Sequence, residues 1–287
     1  MGLLDFLLNL AGLLLWLNWR AIRFDPLTRT SAASLVGTLK RAEPRRFLGW
    51  SFPVGLAGLL LGRALVYWEI GAGVNWTPQL DLVFVALPFR SDWFRSALLY
   101  SLLSFGRTLL VFYFWLLALA LINRGSAEPD LFQRMLRLYL GRLARWPWPV
   151  QALLPLLAVA GAWMALHPLL VRCAVARPAS SLLHLLEQGL LLGVGLYFSL
   201  KYLLPAFLLI YFVASYVYLG NNPFWDFVTI TSGNLLAPLR RLPLRVAKLD
   251  LAPLVGAALI VFLLHAVPGH LLPQLLHQNL ALFLWPQ

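Results

Sequence analysis

The sequence predicts an all-α integral membrane protein: six transmembrane helices arranged as three tandem helical hairpins with amphipathic cytoplasmic segments. Three observations lead there. The chain of 287 residues is 61% apolar and only 12% charged, whereas a soluble domain is about half apolar. Its apolar residues gather into runs near the ~20 residues that cross a bilayer. Its 23 Lys and Arg outnumber 11 Asp and Glu, and most of these cations fall in blocks between the apolar runs.

The six candidate spans lie at 3–22, 52–70, 97–122, 150–171, 190–219 and 251–272. The first does not read as a signal peptide, because it lacks a basic start and carries Asp5. Phe6 stands where myristoylation prefers serine or threonine. The connections then set orientation. Arg23, Arg29, Lys40, Arg41, Arg45 and Arg46 follow span one, with Arg20 at its border. Arg124, Arg134, Arg137, Arg142 and Arg145 follow span three, and Arg240, Arg241, Arg245 and Lys248 follow span five. The opposite connections carry only Arg90, Arg95, Arg172 and Arg177. The positive-inside rule puts the three basic connections in the cytoplasm and both termini outside.

A net charge of +12 raises nucleic acid as a partner. The cations form short blocks with no helix-turn-helix, zinc-finger or RNA-binding aromatic signature, so anionic lipid headgroups are the simpler counterion. The single cysteine, Cys173, excludes an internal disulfide and a cysteine metal cluster.

Each basic connection opens near a proline, reaches a second after a cationic stretch and meets a third at the next span. These are Pro26, Pro44 and Pro53; Pro129, Pro147 and Pro155; Pro223, Pro243 and Pro253. The first interval is 18, 18 and 20 residues and the second 9, 8 and 10. Arg107 and Lys201 each lie 22 residues before the first proline of their copies, and His167 and His265 each lie 12 after the third. The pattern reads as three related hairpin units, 1–75, 97–175 and 176–287, with an outer connection at 76–96. In the second unit, Leu131, Phe132, Met135, Leu136 and Tyr139 alternate with Gln133, Arg134 and Arg137. That is an amphipathic helix whose cations suit lipid headgroups. It serves either as a platform for a partner or, at minimum, as a helix filling the gap between spans.

The segment 233–255, GNLLAPLRRLPLRVAKLDLAPLV, carries a family resemblance together with Asn222-Pro223 just before it. Asn-Pro, then LLAPLRRLP at 235–243, then Leu249-Asp250-Leu251-Ala252-Pro253 resemble the YggT family of bacterial and plastid membrane proteins. The match covers about residues 203–268 and fades in the two earlier copies. Ala252 replaces the family's usual serine, and Ser215-Tyr216 stand where an arginine usually precedes a Ser-Trp pair. The resemblance implies a small non-enzymatic membrane factor, tied to envelope organisation, ion homeostasis or assembly of membrane cofactor proteins, with no shared catalytic set.

Site candidates follow from charge and chemistry. Pro238, Arg240, Arg241, Pro243, Arg245, Asp250 and Pro253 are the candidates for facing lipid or a cytoplasmic partner. Within the spans Arg63, Arg107 and Lys201 are costly to insert, at about 3 kcal/mol or more for a charge at mid-bilayer, and Asp5, Glu69 and Glu187 are the acids on the same side. They predict an outer-half polar cluster where the hairpins meet, read either as an ion or proton pathway or, more simply, as structural pairs and snorkelling cations. His167 and His265 are weak haem candidates, better read as packing residues. No phosphate-binding loop, nucleophile elbow or zinc-protease motif is present, and no cofactor is expected. Gly58 with Gly62, and Gly189 with Gly193, predict close helix approach, and Pro205 predicts a kink in the fifth span. The expected function is a non-catalytic YggT-like factor that supports a membrane protein complex through a membrane-protein partner. A transporter using the charged cluster and a haem-binding subunit are the alternatives.

Overall fold

The structure, a computed structural model, describes residues 2–24, 46–74, 77–83, 85–125, 131–217, 220, 222–239, 245–246 and 249–266. In chain order these form α1 (Gly2–Phe24), α2 (Arg46–Val74), β1 (Gln79–Asp81), β2 (Ala86–Pro88) and α3 (Phe94–Ile122). Then come α4 (Leu131–Leu140), a 3₁₀ turn (Gly141–Arg145), α5 (Trp148–Arg172), α6 (Leu182–Tyr197) and α7 (Leu200–Tyr216). The chain closes with α8 (Pro223–Leu236), β3 (Arg245–Val246), β4 (Leu249–Asp250) and α9 (Ala252–Ala266).

Among the described residues five stretches are long and apolar enough to cross a membrane: Gly2–Ala21, Trp50–Gly71, Phe94–Ile122, Trp148–Arg172 and Leu182–Tyr216. Exposed leucines, valines and aromatics cover them, among them Leu7, Leu65, Leu157 and Leu209. Such a surface suits lipid, not water. The protein is thus helical and of multi-pass membrane type. Of the expected sixth span, the described part is the 15-residue apolar α9; the rest of 251–272 lies outside the described residues.

The chain divides into two compact units, Met1–Leu80 with Pro88–Leu110, and Asp81–Leu87 with Val111–Gln287. In the first, α1 packs along α2. Gly12 permits a close approach, since a Cβ there would stand 2.8 Å from the Phe105 ring. The expected glycine pair of α2 does not work this way: a Cβ on Gly58 or Gly62 would meet nothing within 4 Å. The expected outer connection at 76–96 holds two short paired strands, β1 and β2. Their tip is closed by Leu82 N–H donating to Val85 O at 2.7 Å, with Val83 at φ 69°. That backbone region is uncommon for a β-branched residue.

In the second unit, α5 packs chiefly against α6, and α9 against α7. The expected second hairpin pairs the third span with the fourth; here the extensive partner of α5 is the following helix instead. The reason is in α6: a Cβ on Gly189 would lie 2.8 Å from Ala160 Cα, and one on Gly193 2.8 Å from Leu156 O. Only glycine lets the two backbones come this close. Leu208, Leu236, Ala252 and Ala257 form the core under α7, α8 and α9. Leu119, Leu136 and Phe227 form another, joined by Phe132, Leu203 and Phe207. There α4 meets α8: the Phe132 ring stacks on Phe227 at 5.6 Å and meets Phe224 edge-on at 5.7 Å.

The expected fifth span is two helices. The break falls at Phe198–Ser199, where Phe198 and Ser199 N–H donate to carbonyls three residues back. It lies upstream of Pro205, which sits buried inside α7 and cannot donate to the carbonyl of Lys201. Trp115 Nε1 donates to Ser199 Oγ at 3.1 Å and anchors the break.

Candidate functional site

The first unit places a polar cluster among apolar helices. From α1, Asp5 and Asn9 share one face four residues apart; from α2, Arg63 and Tyr67; from α3, Tyr100 and Ser104. Arg63 is the centre, with its side chain wholly buried and that of Asp5 16% exposed. Its Nη2 donates to Asp5 Oδ1 at 2.8 Å and its Nη1 to Asn9 Oδ1 at 2.8 Å. Asp5 also accepts from Tyr67 OH at 2.5 Å and from Tyr100 OH at 2.9 Å. Asn9 Nδ2 passes the chain on to Ser104 Oγ at 3.0 Å. Both tyrosine rings lie against the guanidinium, 5.4 and 5.2 Å from its carbon. Three donors on one carboxylate satisfy it as an anion, and burial without them would be prohibitive. One atom is left over: Arg63 Nε is buried with no hydrogen-bond partner.

Further charges were expected with this cluster. Arg107 is exposed on α3. Glu187 on α6 and Lys201 on α7 belong to the second unit, and Lys201 Nζ sits 5.1 Å from the Tyr202 ring centre. Asn9, Tyr67, Tyr100 and Ser104 were not among the predicted residues. Their signal was available as a polar pair at helical spacing inside each of three apolar runs.

The second unit holds two uncharged networks. Asn123 at the end of α3 donates to Thr231 Oγ1 at 2.8 Å and accepts from Asn234 Nδ2 at 3.1 Å, which ties α8 to α3. Between α5 and α6, Trp163 Nε1 donates to Gln188 Oε1 at 3.1 Å, and Gln188 Nε2 meets His184 Nε2 at 3.0 Å. An indole can only donate, so the amide oxygen of Gln188 faces it and the amide nitrogen faces His184. His167 is buried at the edge of the Trp163 ring, and its Nε2 donates to Arg177 O at 3.1 Å. His265 is exposed in the last turn of α9.

Of the seven partner candidates, Asp250 and Pro253 stand at a helix start, and a second helix start lies upstream of them at Asn222. Asn222 Oδ1 accepts from Phe224 N–H at 3.1 Å, with Pro223 in the first turn: an Asn-Pro cap. Asp250 Oδ1 accepts from Ala252 N–H at 3.0 Å, and its own N–H donates to Tyr216 OH at 2.8 Å. Pro253 is fully buried in the first turn of α9, where a missing N–H costs nothing. Arg245 lies in β3 opposite Asp250 in β4. Pro238 is exposed just past α8, and Arg240, Arg241 and Pro243 lie outside the described residues.

In the link between β2 and α3, the Arg90 guanidinium grips Asp92 through Nε at 3.1 Å and Nη2 at 2.6 Å. The hydrogen bond from Arg90 holds the Asp92 carboxyl below the usual carboxylate range and raises the guanidinium in turn. Compared with family models, with curated proteins and with solved structures, the chain matches none.

Proposed function

We propose that this chain is a non-catalytic, YggT-like multi-pass protein of a bacterial inner membrane. It supports the assembly or organisation of a membrane protein complex, with its basic connections in the cytoplasm and its termini outside. The observation that carries this reading is the packing of α4 on α8 through Phe132, Phe224 and Phe227. The connections after the third and fifth spans are therefore built helices held against each other, as a platform needs, and not slack loops. The Asp5 carboxylate supports the same reading, since a group that accepts from donors on two other helices is a clasp between helices. Co-purification in mild detergent tests the proposal. A membrane-protein partner should be recovered with the wild type and lost from Arg240→Gln/Arg241→Gln; recovery of no stoichiometric partner would sink it.

One observation favours a second reading, transport through the cluster: the buried, unpartnered Nε of Arg63. Flux into liposomes containing only this protein, abolished by Arg63→Gln, would decide for it.

A further inference from the structure

We propose that the 3₁₀ turn Gly141–Arg145 is a binding site for an anionic phospholipid headgroup, with Arg142 and Arg145 as its phosphate-binding pair. The backbone sets the geometry. Gly141 takes φ +58° and ends α4, and the chain continues as a 3₁₀ helix. With three residues per turn and a rise of about 2 Å, residues three apart eclipse, so the two arginines share one stripe about 6 Å apart. Both are exposed, and among the described residues neither has an ion-pair or hydrogen-bond partner. The sequence has no Asp or Glu from 131 to 186 to neutralise them.

The turn is held in place. Gln151, only 4% exposed, donates from Nε2 to Leu143 O at 2.7 Å, and Trp146 N–H reaches the same carbonyl at 3.3 Å. Leu143 lies between the two arginines, so this carbonyl ties their turn to the first turn of α5. Depth follows from what comes next. Trp146 and Trp148 are 41% and 64% exposed at the start of the apolar stretch Trp148–Arg172. Exposed tryptophans at the end of a span lie at headgroup level, which puts the neighbouring arginines among the phosphates. A guanidinium meets phosphate oxygens with two parallel N–H bonds, so each arginine takes one phosphate. A phospholipid carrying two phosphates fits the pair best. The site requires only that Trp148–Arg172 crosses the membrane, and stands or falls separately from the protein partner proposed above.

The test uses the full chain in detergent, titrated with diphosphatidylglycerol, phosphatidylglycerol and phosphatidylcholine and read by native mass spectrometry. The affinity order should follow the order in which the lipids are named. Arg142→Gln and Arg145→Gln should each weaken the anionic lipids about five-fold, and the double variant about 25-fold. Arg172→Gln removes the same charge from the other end of α5, about 37 Å away at 1.5 Å per residue. It should change affinity by less than about two-fold, because that distance exceeds the Debye length. Arg142→Lys/Arg145→Lys should fall between wild type and the double Gln variant. Equal binding of all three lipids, unchanged affinity in the double Gln variant, or an equal loss in Arg172→Gln would each overturn the site. So would full competition by inorganic diphosphate at the lipid's own concentration, which would assign the pair to a free anion. The substituted arginines are exposed and, among the described residues, without a partner, so circular dichroism of each variant should match the wild type.

Discussion

Asp5 and Arg63 hold three helices at one point, and the consequence of losing either follows from what is left behind. Asp5→Asn strands a buried guanidinium, and Arg63→Gln strands a carboxylate with only tyrosines to satisfy it. Each should destabilise by about 3–5 kcal/mol, the usual cost of breaking a buried pair from one side. The double variant should lose less than the sum of the two, because no charge is then stranded. Thermal unfolding in detergent reads all three, and additive losses would show that the contact carries no coupling. The exposed Arg90–Asp92 pair makes a pH prediction. Its folded-state Asp92 pKa is lowered, so its contribution is present above the ordinary aspartate range and lost as pH falls through the folded value. Arg90→Gln should therefore lower the melting temperature slightly at neutral pH, and the difference from wild type should vanish in acid. At this scale the charged members of the cluster were legible, since a charge in an apolar run demands a partner. Asn9, Tyr67, Tyr100 and Ser104 were not, because hydroxyls and amides sit in membrane helices for many reasons and only the fold brings these to one carboxylate.

Among the helices, the glycines separate what spacing can say from what it cannot. Two pairs share the same four-residue spacing, in α2 and in α6. Gly189→Ala and Gly193→Ala place a methyl within 2.8 Å of the α5 backbone. Backbone cannot move aside as a side chain can, so each should cost about 1–3 kcal/mol and part α5 from α6. Gly58→Ala and Gly62→Ala meet open space. They should be neutral or stabilise by up to about 1 kcal/mol through helix propensity. Melting of the four single variants checks both halves, and equal effects in the two pairs would contradict the packing. The helix starts behave differently. Asn222→Ala should loosen α8 by about 1 kcal/mol, as for other caps. Such caps are local, so Asn-Pro at 222–223 and Asp250 with Pro253 could be read from sequence alone. The break at Phe198–Ser199 could not: proline at 205 announced a bend, but the Trp115 contact that anchors it comes from another helix.

For the whole molecule, charge asymmetry makes the widest prediction. Single cysteines introduced at Arg142 and Arg172, in a Cys173→Ser background, should be labelled from opposite sides of the membrane, with Arg142 on the cytoplasmic side. Labelling from the same side would remove both α5 as a span and the proposed orientation. By itself the sequence determined that the chain is helical and where its long apolar helices run. These depend on composition, run length and near neighbours along the chain. The tertiary structure alone decided that α5 lies on α6 instead of pairing with α3, that one buried arginine gathers residues from three helices, and that α4 stacks on α8. All of these depend on which faces meet. In a chain so uniformly apolar, leucine on one face is indistinguishable from leucine on another, so hydrophobicity gives no preference among partners. The choice falls to the few positions where a missing side chain or a buried hydrogen bond makes one contact better than the rest.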